Sequence, residues 1–329
     1  MLTAGAHPSN GWLACWFALF AFFAELCLIP GTLNAQQPEI LPLSQVKPGM
    51  QGYAYTIFTG DKIEKFDLEV LGVLANFLGP KQSIILVQLK GPKVEHTGVV
   101  AGMSGSPVYL EGKLAGALSL KLGIFTKEPI AGVTPIQDVL HPPPSAIAEL
   151  PMPQFGAASE TFASAGFPSG SALELIETPL VFSGFAPAAL QQFAKQIQGY
   201  GLVATQGGTA APSPQDAHLV AGDMAGMVLV QGDASINSAC TVTAVEGDRV
   251  FLCGHPFLSL GDVQLPMARS HVVTTLSSDL ASTKIVNVAG SIGTITGDHL
   301  TAVTGKLGRP PAMIPLDLSL RALNSEACR

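Results

Sequence analysis

Gly102-Met103-Ser104-Gly105-Ser106-Pro107, running directly into Val108-Tyr109-Leu110-Glu111-Gly112-Lys113-Leu114-Ala115-Gly116-Ala117-Leu118-Ser119, is the most informative stretch of this 329-residue chain. A serine flanked by glycines can sit in a tight turn whose amides face outward. The Gly102 and Ser104 N–H groups then form an oxyanion hole, each donor worth roughly 3–4 kcal/mol of transition-state stabilisation. Behind the turn, two apolar runs separated by Glu111-Gly112 read as a β-hairpin. Its second arm lays Ala117, Leu118 and Ser119 beside the serine, as an edge for an extended substrate. A Gly-rich hexapeptide alone is equally an ordinary structural turn; the ordered strand, turn and strand after it argue for more.

The same texture extends outward. From Glu39 to Leu140 short apolar runs alternate with Gly, Pro and Asp, as in the alternating Phe66-Asp67-Leu68-Glu69-Val70-Leu71 and the continuous Ser83-Ile84-Ile85-Leu86-Val87. Many short strands with frequent turns predict a barrel or sandwich. Thr134-Pro135-Ile136-Gln137 reads as a capping box that opens a short closing helix. Residues 141–215 form a Pro-, Ala- and Ser-rich connector holding one amphipathic helix, Pro187 to Gln198, with Leu190, Phe193, Ala194 and Ile197 at helical spacing. Residues 216–329 return to short strands and Gly turns. The expected fold is mainly β: a trypsin-like double barrel, or two packed β units, with a serine half at 39–140, a histidine half at 216–329 and few short helices. Pro315 to Leu320 reads as a strand just starting.

Composition narrows the function. Hydrophobic residues make up 47% and charged residues 12%, so the chain can bury large cores; the net charge of −7, without a Lys/Arg cluster, excludes a phosphate-binding surface and hence a nucleic-acid partner. Gly11 to Pro30 is a nearly continuous apolar run, and Ala35 provides a small residue before Gln36. Residues 1–35 therefore read as a signal peptide, or as an uncleaved membrane anchor. Both place the rest of the chain outside the cytoplasm. No metal-ligand spacing and no phosphate loop stands out, so neither a metal nor another cofactor is expected.

A serine hydroxyl needs an adjacent base. Of seven histidines, His255 in Val250-Phe251-Leu252-Cys253-Gly254-His255-Pro256-Phe257 ends an apolar strand between Gly and Pro, a context that fixes its backbone. His96, eight residues before Ser104, is the rival. The serine block resembles the trypsin-type Gly-Asp-Ser-Gly-Gly-Pro stretch, with Met103 at the Asp position; activation by capture of a new amino terminus is therefore not expected. Ser106 and a following strand rule out the α/β-hydrolase elbow. Together with Gly60-Asp61, Ile63 to Val70 and the Gly254-His255 block, the serine block is similar to the SpoIVB peptidase family. That resemblance implies Ser104 as nucleophile and His255 as base. The order is permuted, because the Gly-His block follows the serine by about 150 residues. The family's catalytic Asp has no counterpart in Val87-Gln88-Leu89-Lys90, and Asp262 is the nearest acid after His255 and the candidate orienter; a turn-forming Asp is its plainer reading.

The reading is an exported serine endopeptidase acting on protein or peptide substrates through an acyl-enzyme. The alternative is a catalytically silent protein that keeps the peptidase fold to bind a peptide or partner. A hairpin around Glu246-Gly247 makes Val245 face Asp248, Thr241 face Leu252 and Cys240 face Cys253, which predicts a Cys240–Cys253 disulfide. Two buried, reduced cysteines are the alternative.

Overall fold

The structure, a computed structural model, describes residues 38–122, 128–143, 173–197, 200–211, 218–279 and 281–319. The expected signal segment, residues 1–35, lies outside these.

Six strands make the serine half: β1 (Gln51–Ile57), β2 (Ile63–Gly79), β3 (Gln82–Lys90), β4 (Pro107–Leu110), β5 (Lys113–Leu122) and β6 (Ile130–Pro135). All neighbours are antiparallel in the order β1-β2-β3-β6-β5-β4, and β4 pairs back onto β1, so the sheet closes into a barrel. The alternation read from sequence holds: Phe66, Leu68 and Val70 are buried, whereas Lys65 and Asp67 are exposed. Removing those apolar side chains from water drives closure, and closure leaves no open edge. A short helix, α1 (Pro92–Thr97), follows β3, and α2 (Ile136–Leu140) closes the half. The capping box is not formed. Thr134 Oγ1 instead lies 2.8 Å from both Gly254 O and Ser119 Oγ, so a tertiary contact outcompetes the local cap.

The expected connector is more structured than its composition suggested. It carries β7 (Leu173–Leu175), β8 (Thr178–Ser183), the amphipathic helix α3 (Pro187–Ile197), β9 (Leu202–Gln206) and β10 (Gly208–Thr209). β8 and β9 pair in parallel, and β7 adds to β5. Leu190, Phe193 and Ile197 of α3 pack on the core of the second half, as their spacing predicted.

That half contains β11 (Met224–Val230), β12 (Ser235–Ser238), β13 (Cys240–Glu246), β14 (Arg249–Leu252), β15 (Gly261–Leu276), β16 (Thr283–His299) and β17 (Ala302–Leu307). β12 links β11 to β8. The other six form a second antiparallel ring, β11-β13-β14-β17-β16-β15, with β15 returning to β11. Counted within each ring, both barrels have the strand order 1-2-3-6-5-4. The fold is mainly β and matches the trypsin-like double barrel expected from sequence. Residues 309–319 form no strand, so the expected one from Pro315 is not observed within the described residues.

Two apolar clusters seal the barrels together. Leu114, Ala117, Ile136 and Val139 meet Ala244, Phe251 and Ala302; Ile57 joins Met224, Val228 and Val272.

Candidate active site

The site lies between these clusters, where each barrel offers the connection from its third to its fourth strand. The β3–β4 connection carries Ser104 and the β14–β15 connection carries His255.

The serine turn is built locally. Met103 N–H donates to Val100 O, while Ser106 donates to Met103 O through both its N–H (2.9 Å) and its hydroxyl (2.7 Å). Gly105 has φ +90°, which glycine adopts without strain. Its pro-side-chain direction is also blocked: a Cβ there would fall 2.0 Å from Thr241 O and 2.6 Å from Cys253 N. The second barrel then completes the turn, with Thr241 N–H donating to Ser104 O and Thr243 Oγ1 to Gly105 O, both at 2.8 Å.

The histidine loop is held from far away. Cys240 and Cys253 form the expected disulfide, with Cα atoms 5.1 Å apart. The expected register is corrected, however: Glu246 pairs with Arg249, Val245 with Val250, Ala244 with Phe251 and Val242 with Leu252, across a bulge. Gly247 thus becomes the first central turn residue at φ +63°, the position where a primed turn demands positive φ. The bulge and the left-handed Cys253 (φ +66°) restore the approach of the two sulfurs. Asp298, fully buried near the end of β16, accepts from the N–H groups of Phe257 (2.6 Å), Leu258 (2.9 Å) and Leu260 (3.0 Å). It anchors the chain just beyond His255.

His255 Nδ1 lies 2.7 Å from Pro256 O. A carbonyl only accepts, so Nδ1 carries the proton and Nε2 presents its lone pair, the tautomer a general base needs. Burial pushes the imidazole down to about 4 from 6.5, against the carbonyls of Pro256 and Ile176 and the charge of Glu177, so the ring is neutral at pH 7. Nε2 of His255 and Oγ of Ser104 are both buried without a hydrogen-bond partner, so they do not bond to each other either. Ser104 itself is 0% exposed. The two loops nonetheless abut: Leu118 O accepts the Gly105 N–H at 2.7 Å and lies 3.1 Å from the position of a Cβ on Gly254.

Of the two expected oxyanion donors, Ser104 N–H is uncommitted among the described residues, whereas Gly102 N–H donates to Glu177 O at 3.2 Å. Leu118 O and N–H of the predicted edge are taken by the serine turn, and Ser119 O accepts from Ile176 N–H. Asp262 does not orient His255: its side chain is 96% exposed and faces His299 at 3.4 Å, while His255 Nδ1 is held by Pro256 O. His96 is exposed on α1. Among the described residues, no three His, Cys, Asp or Glu side chains gather as metal ligands would.

Lys284 is the residue that sequence reasoning missed most clearly. Fully buried at the seam, its Nζ donates to Thr56 Oγ1 (2.7 Å) and Gly102 O (3.2 Å), and Thr241 Oγ1 donates to the same carbonyl at 2.8 Å. Desolvation pushes its amine down to about 7. Its parity with the buried Val286 and Val288 on β16 was the available signal.

Two closed barrels of the trypsin-like kind thus place a serine and a neutral histidine on equivalent, touching connections. Residues 30–136 match the SpoIVB peptidase S55 family model, the family that the motifs resemble. The matched stretch includes Ser104 and ends before His255. Neither a curated protein nor a solved structure matches the chain.

Proposed function

We propose that the chain is an exported serine endopeptidase that cleaves protein or peptide substrates through an acyl-enzyme. The family match supports a peptidase at the level of the family. The observation that carries the finer reading is the pair of buried, unpartnered atoms, Ser104 Oγ and His255 Nε2, on abutting loops. Leaving a buried polar atom unpaired costs about 1–3 kcal/mol, and such atoms are kept where chemistry uses them. In the reaction, Oγ attacks the scissile carbonyl as Nε2 takes its proton. The imidazolium protonates the leaving amine, and water repeats the sequence to release the acid. Ser104 N–H, joined by Gly102 N–H once that donor is free, holds the oxyanion.

A labelled fluorophosphonate tests this. Slow labelling that Ser104→Ala abolishes and His255→Gln suppresses is expected; labelling indifferent to Ser104→Ala overturns it. A second reading, a silent peptide-binding protein with the same fold, is favoured by the committed Gly102 N–H and by the absence of a carboxylate bonded to His255 among the described residues. It predicts peptide binding with no covalent product.

A further inference from the structure

Residues 173–177 touch every working part of the site at once. β7 lies antiparallel on β5, with Leu175 opposite Leu120, Glu174 opposite Lys121 and Leu173 opposite Leu122. The line continues as Ile176 N–H donates to Ser119 O at 3.0 Å. One residue on, Glu177 O accepts the Gly102 N–H. The Ile176 backbone also acts on the His255 ring, and the Glu177 carboxylate pairs with Lys121 Nζ at 2.6 Å. Edge and oxyanion donor are thus engaged by one extended segment, which also passes the base.

We propose that this segment occupies the place of the substrate, so that the cleft takes an extended peptide added antiparallel to β5 and the resting chain is held closed by its own residues. The proposal rests on the peptidase reading above. The barrel does not need β7 for closure, because β4 already pairs with Lys113 to Ala117 of β5 and completes the ring. β7 takes up the same side of β5 further along, at Leu120 to Leu122, and the serine turn sits at Leu118 in the gap. Any strand continuing β7's line delivers its C-terminal end to Ser104, where a reacting carbonyl must arrive. Main-chain bonds to β5 give such a strand affinity, and side-chain pockets give it selectivity. Here the fully buried Ile176 packs into the core of the serine barrel, and next to it the nearly buried Lys121 pairs with an acid. The preferred substrate therefore carries an apolar residue followed by an acidic one. A tethered segment competes at an effective concentration on the order of millimolar, so peptides in trans are excluded while it stays in place.

The test compares fluorophosphonate labelling rates of the wild-type chain, Ile176→Pro and Glu177→Ala. The proline lacks the N–H given to Ser119 O; the alanine removes only the Lys121 pair. Labelling about tenfold faster in Ile176→Pro and several-fold faster in Glu177→Ala is expected, the scale of losing one such bond. A synthetic peptide Leu-Glu-Leu-Ile-Glu-Thr should slow labelling of both variants, and a scrambled peptide should not. If Ile176→Pro loses its cooperative melt, Glu177→Ala decides. Ser104-dependent labelling at equal rates in all three folded proteins overturns this proposal and leaves the peptidase reading standing. Peptide binding that is stronger in the variants, with no labelling of any, supports the occupied cleft and overturns the peptidase reading. No labelling and no peptide binding overturns both.

Discussion

The two barrels share one strand order and place Ser104 and His255 on the same connection, yet they hold those residues by different means. The serine turn takes its shape from bonds among Val100, Met103 and Ser106, a span of a few residues, and is then completed by Leu118 and, across the seam, by Thr241 and Thr243. The histidine loop is fixed by Cys240, by Asp298 some forty residues on, and by Thr134 of the other barrel through Gly254 O. Local restraint leaves a continuous signature in the chain; distributed restraint does not. The matched family stretch spans all six strands of the first barrel and ends at Ile136, where α2 begins.

The hardest test of this contrast is Gly105→Ala. A Cβ 2.0 Å from Thr241 O requires the barrels to part, and φ +90° adds strain. A loss above about 4 kcal/mol, or failure to fold, is expected in chemical denaturation. Gly72→Ala, with nothing within 4 Å of its Cβ and no positive φ, should stay within about 0.5 kcal/mol. Equal effects would mean that the barrels do not meet at the serine turn.

The disulfide comes next. Cys240→Ser/Cys253→Ser closes no 13-residue span and should cost about 3 kcal/mol. Because the bond belongs to the histidine side, Ser104 labelling should slow in parallel. Unchanged melting and labelling would show that the His255 loop is positioned without it.

A pH series addresses His255 directly. Its folded value of about 4 lies below the unfolded 6.5, so the unfolded chain binds more protons between those values. Stability should fall as pH drops from 6.5 to 4, by about 3 kcal/mol, and should level off below. Repeating the series on His255→Gln should remove that component. If the two proteins lose stability alike, the ring is not held neutral by burial.

The smallest effect has the opposite sign. Lys284→Met should stabilise the chain by about 1–3 kcal/mol at pH 7, because the buried amine resists its charge. The folded value of about 7 lies below the unfolded 10.5, so wild-type stability rises by about 3–4 kcal/mol from pH 7 to pH 10, and the gain should vanish and reverse sign by pH 10. Labelling at Ser104 should slow nonetheless, since Gly102 O keeps only the Thr241 hydroxyl. A variant destabilised at pH 7 would mean that the two hydrogen bonds of Lys284 outweigh its desolvation.

Much of this was legible beforehand. Period-two burial placed Phe66, Leu68 and Val70; helical spacing placed Leu190, Phe193 and Ile197; glycine and proline flanks singled out Ser104 and His255. What escaped depended on partners distant in sequence. Asp262 is the acid nearest His255 along the chain, whereas Asp298 reaches the histidine loop only because β16 and β17 fold back on it. The hairpin turns at Gly247-Asp248 and not at Glu246-Gly247, because Gly247 supplies positive φ at the first turn position. Ile176 and Glu177 sat in a segment whose composition reads as linker, and only the pairing with β5 reveals their place.

Thr241 and Thr243 give the serine turn a further meaning. They supply its last hydrogen bonds from across the seam. A fragment ending after α2 would therefore bear the whole nucleophile motif without the geometry that makes it reactive. Split there, the halves should behave as a complementation pair, inert apart and competent together, with reactivity at Ser104 reporting assembly itself.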